Sequence, residues 1–322
     1  MRTKTRPIGR WALAAAAISA AATVLTACSS STTGSAPSGT TSAAAPATSA
    51  AAPAPSGSAT QGGRKPADLL PASYKSAGVI KVASTFGYPP EQFYEEDGRT
   101  PTGFSVELGQ AMGKVLGVEF TFDNVSFGAI LPGIAAGRYD IAITSMSITP
   151  TRSKEVNFVK YLEAGGSLLV AGKNPKNING LADLCGMTVA NTTGSLHGDY
   201  ILAYSKENCE AKGKAAITVN NFDDAAAPNQ AVATGRADGC FRDFTANAYM
   251  AKMSGGAFKV VGGIVKTQPY GIAVAKDKLP LAEALDAALN QVIADGTYLS
   301  ILKKWDVSEA ALTRSEVVPA TG

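Results

Sequence analysis

Residues 137–144 read GRYDIAIT, and residues 235–242 read GRADGCFR. In both stretches a glycine follows a helical pattern, and an aspartate comes directly before a short apolar run. A glycine at this place suits the C-terminal end of a helix, and a short apolar run is typical of a buried strand. The same helix-to-strand junction therefore occurs twice, which predicts two similar structural units.

Each junction closes a series in which strands and helices alternate. The first series has predicted strands at Val79–Ser84, 118–123 and 139–144 and helices at Phe104–Leu116 and 130–136. The second has predicted strands at 186–190, 216–220 and 237–241 and helices at 195–208 and 228–234. Such alternation predicts an α/β protein with a mostly parallel sheet in each of two lobes.

Two amphipathic helices are predicted after the second series, at residues 281–296 and 298–305. We expect them to pack on the first lobe, because they need a core. The chain would then pass between the lobes twice, near residues 170–173 and 261–266. Two crossing segments form a natural hinge. The predicted bounds are 66–170 and 266–322 for lobe I and 171–265 for lobe II.

The N-terminal region predicts export and anchoring. Residues 1–27 have the basic, apolar and small-residue parts of a signal peptide. Cys28 directly follows Leu-Thr-Ala, which resembles a bacterial lipobox and implies a lipidated cysteine. An ordinary cleaved signal with an incidental cysteine is the alternative. Residues 28–65 are almost all Ser, Thr, Ala, Pro and Gly, so we expect a disordered tether.

Charge and cysteine content exclude several classes. The formal net charge of +3 includes four cations within the first ten residues, so nothing indicates a nucleic-acid partner. We favour a Cys185–Cys209 disulfide with Cys240 unpaired in an apolar run. His197 is the only histidine of the chain and no CxxC pair is present, so we expect neither a zinc site nor a cofactor.

Candidate binding residues follow the predicted strands, at the carboxyl ends where open α/β sheets bind ligands. The first series offers Tyr88, Phe127 and Arg152, and the second offers Gly194, Ser195, Leu196, Arg242 and Asp243. A single zwitterion between the lobes would use both sets. Arg152 suits a carboxylate, with a helix start near Thr149-Pro150 beside it. Asp243 suits an ammonium, and Tyr88 and Phe127 could enclose a side chain. A surface arginine, a turn aspartate and core aromatic residues are the alternatives.

Three segments resemble the bacterial family 3 solute-binding proteins, the polar-amino-acid receptors of ABC importers. They are GFSVEL at residues 103–108 with Met112, Gly113 and Leu116, IAITSMSITPTRSKEVNF at 141–158, and DGTYLSILKKW at 295–305. The resemblance implies a two-lobed periplasmic-binding-protein type II-like fold with a hinge of two crossing segments. It also implies an exported, lipid-anchored binding protein at the outer face of the cell membrane. An amino acid and the importer permease are the implied partners, and we expect a monomer.

The resemblance assigns roles to individual residues. It implies that Arg152 binds the ligand carboxylate, Asp243 its ammonium, and Tyr88 and Phe127 its side chain. Thr144, Ser145 and Ser147 would line the first lobe, and Gly194, Ser195 and Leu196 would donate backbone N–H groups. Arg242 would touch the ligand side chain, which favours a polar or acidic amino acid; a surface salt bridge is its alternative. Ser105 departs from the acidic residue usual in the family.

Two other functions stay open from the sequence. Some proteins of this general fold are dehydratases, and His197 could then act as an acid or base, although we expect it at the surface near a helix start. A ligand-sensing module is the third possibility. The lipobox and the long tether favour a binding protein that is not an enzyme.

Overall fold

The computed structural model describes residues 64–321. The predicted signal peptide, Cys28 and nearly all of the predicted tether lie outside them. The described helices are α1 Pro66–Leu69, α2 Ala72–Ala77, α3 Phe104–Leu116, α4 Ile130–Ala135, α5 Leu196–Asn208, α6 Ala227–Ala233, α7 Phe244–Met253, α8 Leu279–Ala294 and α9 Thr297–Lys304. The strands are β1 Val79–Ser84, β2 Phe93–Tyr94, β3 Pro101–Thr102, β4 Glu119–Asn124, β5 Ile141–Ser147, β6 Val156–Ala171, β7 Thr188–Thr192, β8 Thr218–Phe222, β9 Gly239–Asp243, β10 Phe258–Ala275 and β11 Val317–Val318.

Helix α3 shows how local sequence produces the predicted elements. Four of its buried apolar side chains recur every four residues, at Phe104, Leu108, Met112 and Leu116. This spacing places them on one face, where burial of each side chain contributes about 1.5–3 kcal/mol. The helix ends at Gly117, whose φ of 73° is left-handed and whose N–H donates to the Gly113 carbonyl. The bounds of α3 and of β1 are those that the sequence predicted.

The predicted internal repeat is confirmed by the pairing of the strands. The large sheet has the order β4-β1-β5-β10-β6-β9-β7-β8. In the first unit β1 pairs in parallel with β4 and β5, and in the second unit β7 pairs in parallel with β8 and β9. Both units therefore place their first strand between the other two, with the strand that follows the repeated glycine at the inner side.

Two long antiparallel strands, β6 and β10, connect the units. The C-terminal part of β10 pairs with β5, whereas residues Gly166–Leu169 of β6 pair with β9. The register between β6 and β10 shifts between Val261 and Gln268, where the ladder is interrupted by bulges. The two strands are the crossing segments of the hinge. The lobe bounds stay a prediction, and this pairing favours a first crossing at residues 164–166 instead of 170–173.

The C-terminal helices complete the core of the first lobe. Leu285 and Leu289 of α8 and Tyr298 of α9 are buried in one cluster with Ile80 of β1 and Leu108 of α3. Strand β11 also pairs with the beginning of β6. The second lobe has its own apolar cluster, which includes Val189, Ile201 and Phe241. Each lobe thus has an apolar core of its own, and the space between the lobes lies at the carboxyl ends of the parallel strands.

Cysteine pairing in the structure follows the pattern that the sequence favoured. A disulfide joins Cys185 to Cys209, which ties the segment before β7 to the C-terminal end of α5. Cys240 is a free, buried cysteine of β9. Between residues 64 and 321, no cluster of His, Cys, Asp and Glu is suited to a metal ion. Over the same range, none of the helices combines the length and the apolar character needed to cross a membrane.

Candidate ligand-binding site

A cavity lies between the two lobes and contains most of the predicted site residues. Its volume is about 430 Å³ when the mouth open to solvent is included. The predicted residues that line it are Tyr88, Phe127, Thr144, Ser145, Ser147, Arg152, Ser195, Leu196 and Asp243. Thr85, Gln92, Thr192, His197 and Ala225 line it as well, and Gly194 and Arg242 do not.

Arg152 is held in the cavity wall by contacts from both lobes. Its Nη1 donates to the Ser147 carbonyl oxygen at 2.9 Å, and its Nη2 donates to the Gly194 carbonyl oxygen at 3.0 Å. The guanidinium also lies 5.3 Å from the centre of the Phe127 ring. A guanidinium has five N–H donors, so these contacts orient it and still leave donors for a carboxylate.

The local structure around Arg152 differs from the prediction. The expected α-helix start at Thr149-Pro150 is wrong, because only a single 3₁₀ turn, Arg152–Lys154, forms before β6 begins at Val156. Thr149 keeps a capping role, since its Oγ1 accepts from the Arg152 N–H at 3.2 Å. So short a turn has little dipole, and the chemistry of the wall therefore comes from the Arg152 side chain.

Asp243 ends β9 and is almost fully buried, with 4% of its surface exposed. Tyr88 Oη donates to its Oδ2 at 2.5 Å, and Tyr270 Oη donates to its Oδ1. His197 Nε2 lies 3.4 Å from the same Oδ1. Tyr88 comes from the first lobe, so the carboxylate is oriented by residues on both sides of the cavity. An oriented, buried carboxylate is a suitable partner for a ligand ammonium.

His197 is buried in the cavity wall, so its expected position at the surface is wrong. Ser195 caps α5: its Oγ accepts from the His197 N–H at 3.2 Å and lies 3.0 Å from Nδ1. Because Oγ already accepts one bond, we assign its proton to the bond with Nδ1, which leaves the imidazole proton on Nε2. Burial lowers the pKa of His197. The residue is therefore a neutral donor beside Asp243, and its Nε2 has no hydrogen-bond partner among the described residues.

Arg242 is absent from the cavity lining. It is buried, so the surface salt bridge is wrong. Its guanidinium lies 3.9 Å from the centre of the Tyr88 ring, and its Nη1 donates to Asn229 Oδ1 at 3.0 Å. Arg242 therefore packs against Tyr88 and is not among the residues that line the cavity, and its contact with the ligand side chain stays a prediction.

Ser145 stores backbone strain at the cavity wall. Its φ of 51° is left-handed, which is uncommon for a residue other than glycine. The conformation is held in place because the Ser145 N–H donates to Tyr161 Oη at 2.8 Å and its hydroxyl donates to Glu91. Strained residues that are held in this way concentrate at binding sites. This position therefore supports the predicted role of Ser145.

Glu91 is a buried carboxyl group that the sequence reasoning missed. It is fully buried directly behind Ser145, and Thr245 Oγ1 of the second lobe donates to its Oε1 at 2.8 Å. Burial, and next the charge of Asp243, raise the pKa of Glu91 to about 8. Hydrogen bonds from Ser145 and Thr245 and the charge of Arg242 oppose this shift. At neutral pH the group is therefore mostly a protonated acid that links the two lobes.

Glu91 predicts how the stability of the protein depends on pH. Between about pH 4.5 and 8 the folded state keeps a proton that the unfolded chain releases. This contribution is fully present below about pH 4.5 and is lost as the pH rises through about 8, so the free energy of unfolding falls across this window by a few kcal/mol at most. We expect the free energy of unfolding of Glu91→Gln, which mimics the protonated acid, to decrease less across this pH range.

Thermal unfolding measured across this range checks the expectation. Glu119→Gln on β4 is the matched control, because Glu119 is exposed and the substitution removes the same charge. Equal pH profiles for Glu91→Gln and for the parent would show that Glu91 does not control the slope.

Glu91, Gln92 and Thr85 belong to the same β1 loop as Tyr88, so strand-end reasoning could have included them. Their polar side chains follow a predicted strand, which is the signal that identified Tyr88. Tyr270 had no such signal. It lies on β10 and reaches Asp243 only through the antiparallel pairing of β10 with β5 and β6.

Comparison with known proteins identifies the family. The model of the bacterial extracellular solute-binding proteins, family 3, matches residues 80–308. The arginine-binding protein ArgT of Corynebacterium glutamicum is 30% identical over 245 residues, which cover 76% of this chain and 79% of the relative. The chain belongs to the bacterial extracellular solute-binding proteins of family 3.

Solved structures show the same fold. An ancestral arginine-binding protein, in one structure bound to arginine and in another to glutamine, is 32% identical with a TM-score of 0.64, and the match covers 71% of this chain and 98% of that one. An ancestral amino acid-binding protein described as a precursor of cyclohexadienyl dehydratase is 30% identical with a TM-score of 0.64, over 72% of this chain and 97% of that one. The two-lobed periplasmic-binding-protein type II-like fold is thereby confirmed.

Proposed function

We propose that the protein captures an amino acid between its two lobes and presents it to the permease of an ABC importer. The observation that carries the proposal is that Arg152 and Asp243 line the same cavity. They provide a cation and an anion from different lobes, which match the carboxylate and the ammonium of a free amino acid. The names of the relatives support the same class of ligand, because they describe arginine-binding and amino acid-binding proteins.

Closure of the lobes is the proposed mechanism. Arg152 contacts Gly194, Tyr88 contacts Asp243, and Thr245 contacts Glu91, so three polar contacts join the lobes in this closed state. A ligand bound to Arg152 and Asp243 adds contacts that exist only when the lobes are together. It therefore shifts the population towards the closed form by the free energy of those contacts. The permease would recognise that form.

We propose that the protein is a receptor and not an enzyme. One structural relative is a precursor of a dehydratase, and His197 lies in the cavity beside Asp243. Burial lowers the pKa of His197, which disfavours the imidazolium form that an acid catalyst would need. Turnover of prephenate or arogenate by the purified protein would favour the dehydratase alternative.

Export, anchoring and assembly complete the proposal. A signal peptide ending before Cys28, lipidation of Cys28 and a tether over residues 28–65 would hold the receptor at the outer face of the cell membrane. The sequence resemblance to a lipobox supports this arrangement. We propose a monomer, as the sequence resemblance to the family implies.

Calorimetry and thermal shift with the common amino acids test the proposed function. A ligand at about 100 times its Kd stabilises the folded state by about 2.7 kcal/mol, which is a visible rise in the melting temperature. We expect at least one amino acid to give this rise. Its N-acetylated and its C-terminally amidated derivatives are expected to bind about tenfold or more weakly, because each removes one charge. Equal responses to free and blocked amino acids would contradict the roles of Arg152 and Asp243.

A further inference from the structure

We propose that the ligand is a neutral amino acid with a carboxamide side chain, such as glutamine or asparagine, and that Gln92 and Thr85 determine this specificity. The proposal rests on the proposed function, since it assumes that Arg152 and Asp243 bind the α-carboxylate and the α-ammonium. It names a different ligand class from the arginine that the names of several relatives describe.

The charges of the cavity match a ligand without net charge. Among the described residues that line it, the charged groups are Arg152 and Asp243, and His197 is neutral. Both charges are used by the α-groups of an amino acid. A charged ligand side chain would then be desolvated without a partner, which is costly in a largely buried cavity.

An arginine of the protein already lies against each of the two aromatic rings, Tyr88 and Phe127, of the cavity lining. Arg242 lies 3.9 Å from the centre of the Tyr88 ring, and Arg152 lies 5.3 Å from the centre of the Phe127 ring. A guanidinium or ammonium of the ligand side chain stacked on either ring would meet a like charge close by. The aromatic residues therefore favour an uncharged side chain.

Glu91 does not supply the anion that a cationic side chain would need. It is absent from the cavity lining and lies behind Ser145. Both of its carboxyl oxygens are already bonded, one by Ser145 and the other by Thr245. With a pKa of about 8 it is mostly protonated at neutral pH.

Polar atoms of the lining that lack a hydrogen-bond partner indicate which donors and acceptors the ligand side chain must have. Gln92 Oε1 and Thr85 Oγ1 are buried and have no hydrogen-bond partner among the described residues. The amide of Gln92 is oriented, because its Nε2 donates to the Thr85 carbonyl oxygen at 3.0 Å. Oε1 is thus an acceptor that lacks a donor, and the Thr85 hydroxyl can donate. Buried polar groups are nearly always bonded, and an unsatisfied one costs about 1–3 kcal/mol.

A carboxamide satisfies both atoms at once. Its NH₂ group can donate to Gln92 Oε1, and its carbonyl oxygen can accept from the Thr85 hydroxyl. A carboxylate has no donor for Oε1, and an apolar side chain satisfies neither atom. This pairing selects glutamine or asparagine over glutamate, leucine and arginine.

Calorimetric titration of the full chain at about pH 7 with these amino acids tests the ligand class. We expect glutamine or asparagine to bind about tenfold or more tightly than glutamate, arginine, lysine or leucine. Tightest binding of a charged or apolar amino acid overturns this proposal and leaves the proposed function intact. If no amino acid binds, the proposed function itself fails.

Two variants test the residues. Gln92→Glu replaces the amide by a carboxylate, and we expect glutamine to bind about tenfold more weakly and arginine or lysine about tenfold more tightly. Gln291→Glu on the exposed surface of α8 adds the same charge away from the cavity. We expect it to leave the affinities for glutamine, arginine and lysine unchanged. Arginine and lysine affinities that are unchanged in Gln92→Glu would overturn the role of Gln92.

Thr85→Val removes the hydroxyl while nearly keeping the shape, and it remains informative if Gln92→Glu fails to fold. We expect glutamine to bind about fivefold to tenfold more weakly, as for the loss of one buried hydrogen bond. Leucine, which cannot use the hydroxyl, is expected to bind this variant no more weakly than the parent. Unchanged glutamine affinity in a variant with the parent's melting temperature would overturn the role of Thr85.

Discussion

Arg152→Ala is expected to weaken amino-acid binding by roughly 30-fold or more, which corresponds to about 2–5 kcal/mol for a buried charge left without its partner. The variant removes the two-pronged donor for the ligand carboxylate. It also removes the hydrogen bond from the first lobe to the Gly194 carbonyl. Both losses act in the closed form, so the expected effect on affinity exceeds the effect on the stability of either lobe.

Calorimetry on Arg152→Ala, Arg152→Lys and Arg236→Ala separates these contributions. Lysine keeps the charge without the planar fork, so we expect an affinity between those of the alanine variant and the parent. Arg236 is exposed on the second lobe, and its replacement controls for the loss of a cation. An Arg152→Ala protein that binds as tightly as Arg236→Ala would show that the carboxylate is held elsewhere.

Asp243→Asn is expected to have an effect of similar size on affinity, because it removes the only anion of the described lining and nearly keeps the shape. Asparagine still accepts hydrogen bonds at Oδ1, so the hydroxyls of Tyr88 and Tyr270 keep at least one acceptor. Asp243→Ala leaves both hydroxyls without this acceptor, and each unsatisfied buried group costs about 1–3 kcal/mol. We therefore expect the alanine variant to be less stable than the asparagine variant.

Calorimetry gives the affinities and thermal unfolding gives the stabilities. Asp277→Asn is the matched control, since Asp277 is exposed beyond the end of β10. The charge of Asp243 is part of what raises the pKa of Glu91. The asparagine variant should therefore lower that pKa and narrow the pH range over which the free energy of unfolding falls. Parent-like affinity of Asp243→Asn would refute the assignment of Asp243 to the ammonium.

Sequence patterns predicted the repeat because both units are local in the chain. The bounds of β1 and α3 follow from an apolar strand run and from apolar residues spaced four apart, which need no distant contact. The residues that end parallel strands could be placed at one edge for the same reason. Six of the fourteen lining residues were found in this way, including Arg152 and Asp243.

The long strands β6 and β10 could not be read from local patterns. The segment after Arg152 carries the beginning of β6, and its register is set by partners far away in the chain, at Tyr270 and Asp243. Tyr270 therefore reaches Asp243 without any sequence signal. Glu91 and Thr245 lie 154 residues apart in the chain, and their hydrogen bond likewise exists only in the folded protein.

The sequence by itself determined the family, the two α/β units and the choice of Arg152 and Asp243 as the charged pair. The spacing of apolar residues and the residues that follow a strand are local properties of the chain, so they can be recognised without knowing which distant segments come together. Only the tertiary structure decided which polar atoms are satisfied: Arg242 stacks behind Tyr88, His197 is buried, and Gln92 and Thr85 keep unpartnered atoms at the cavity. Burial and hydrogen-bond satisfaction depend on neighbours from both lobes, and these neighbours decide which side chain the bound amino acid can carry.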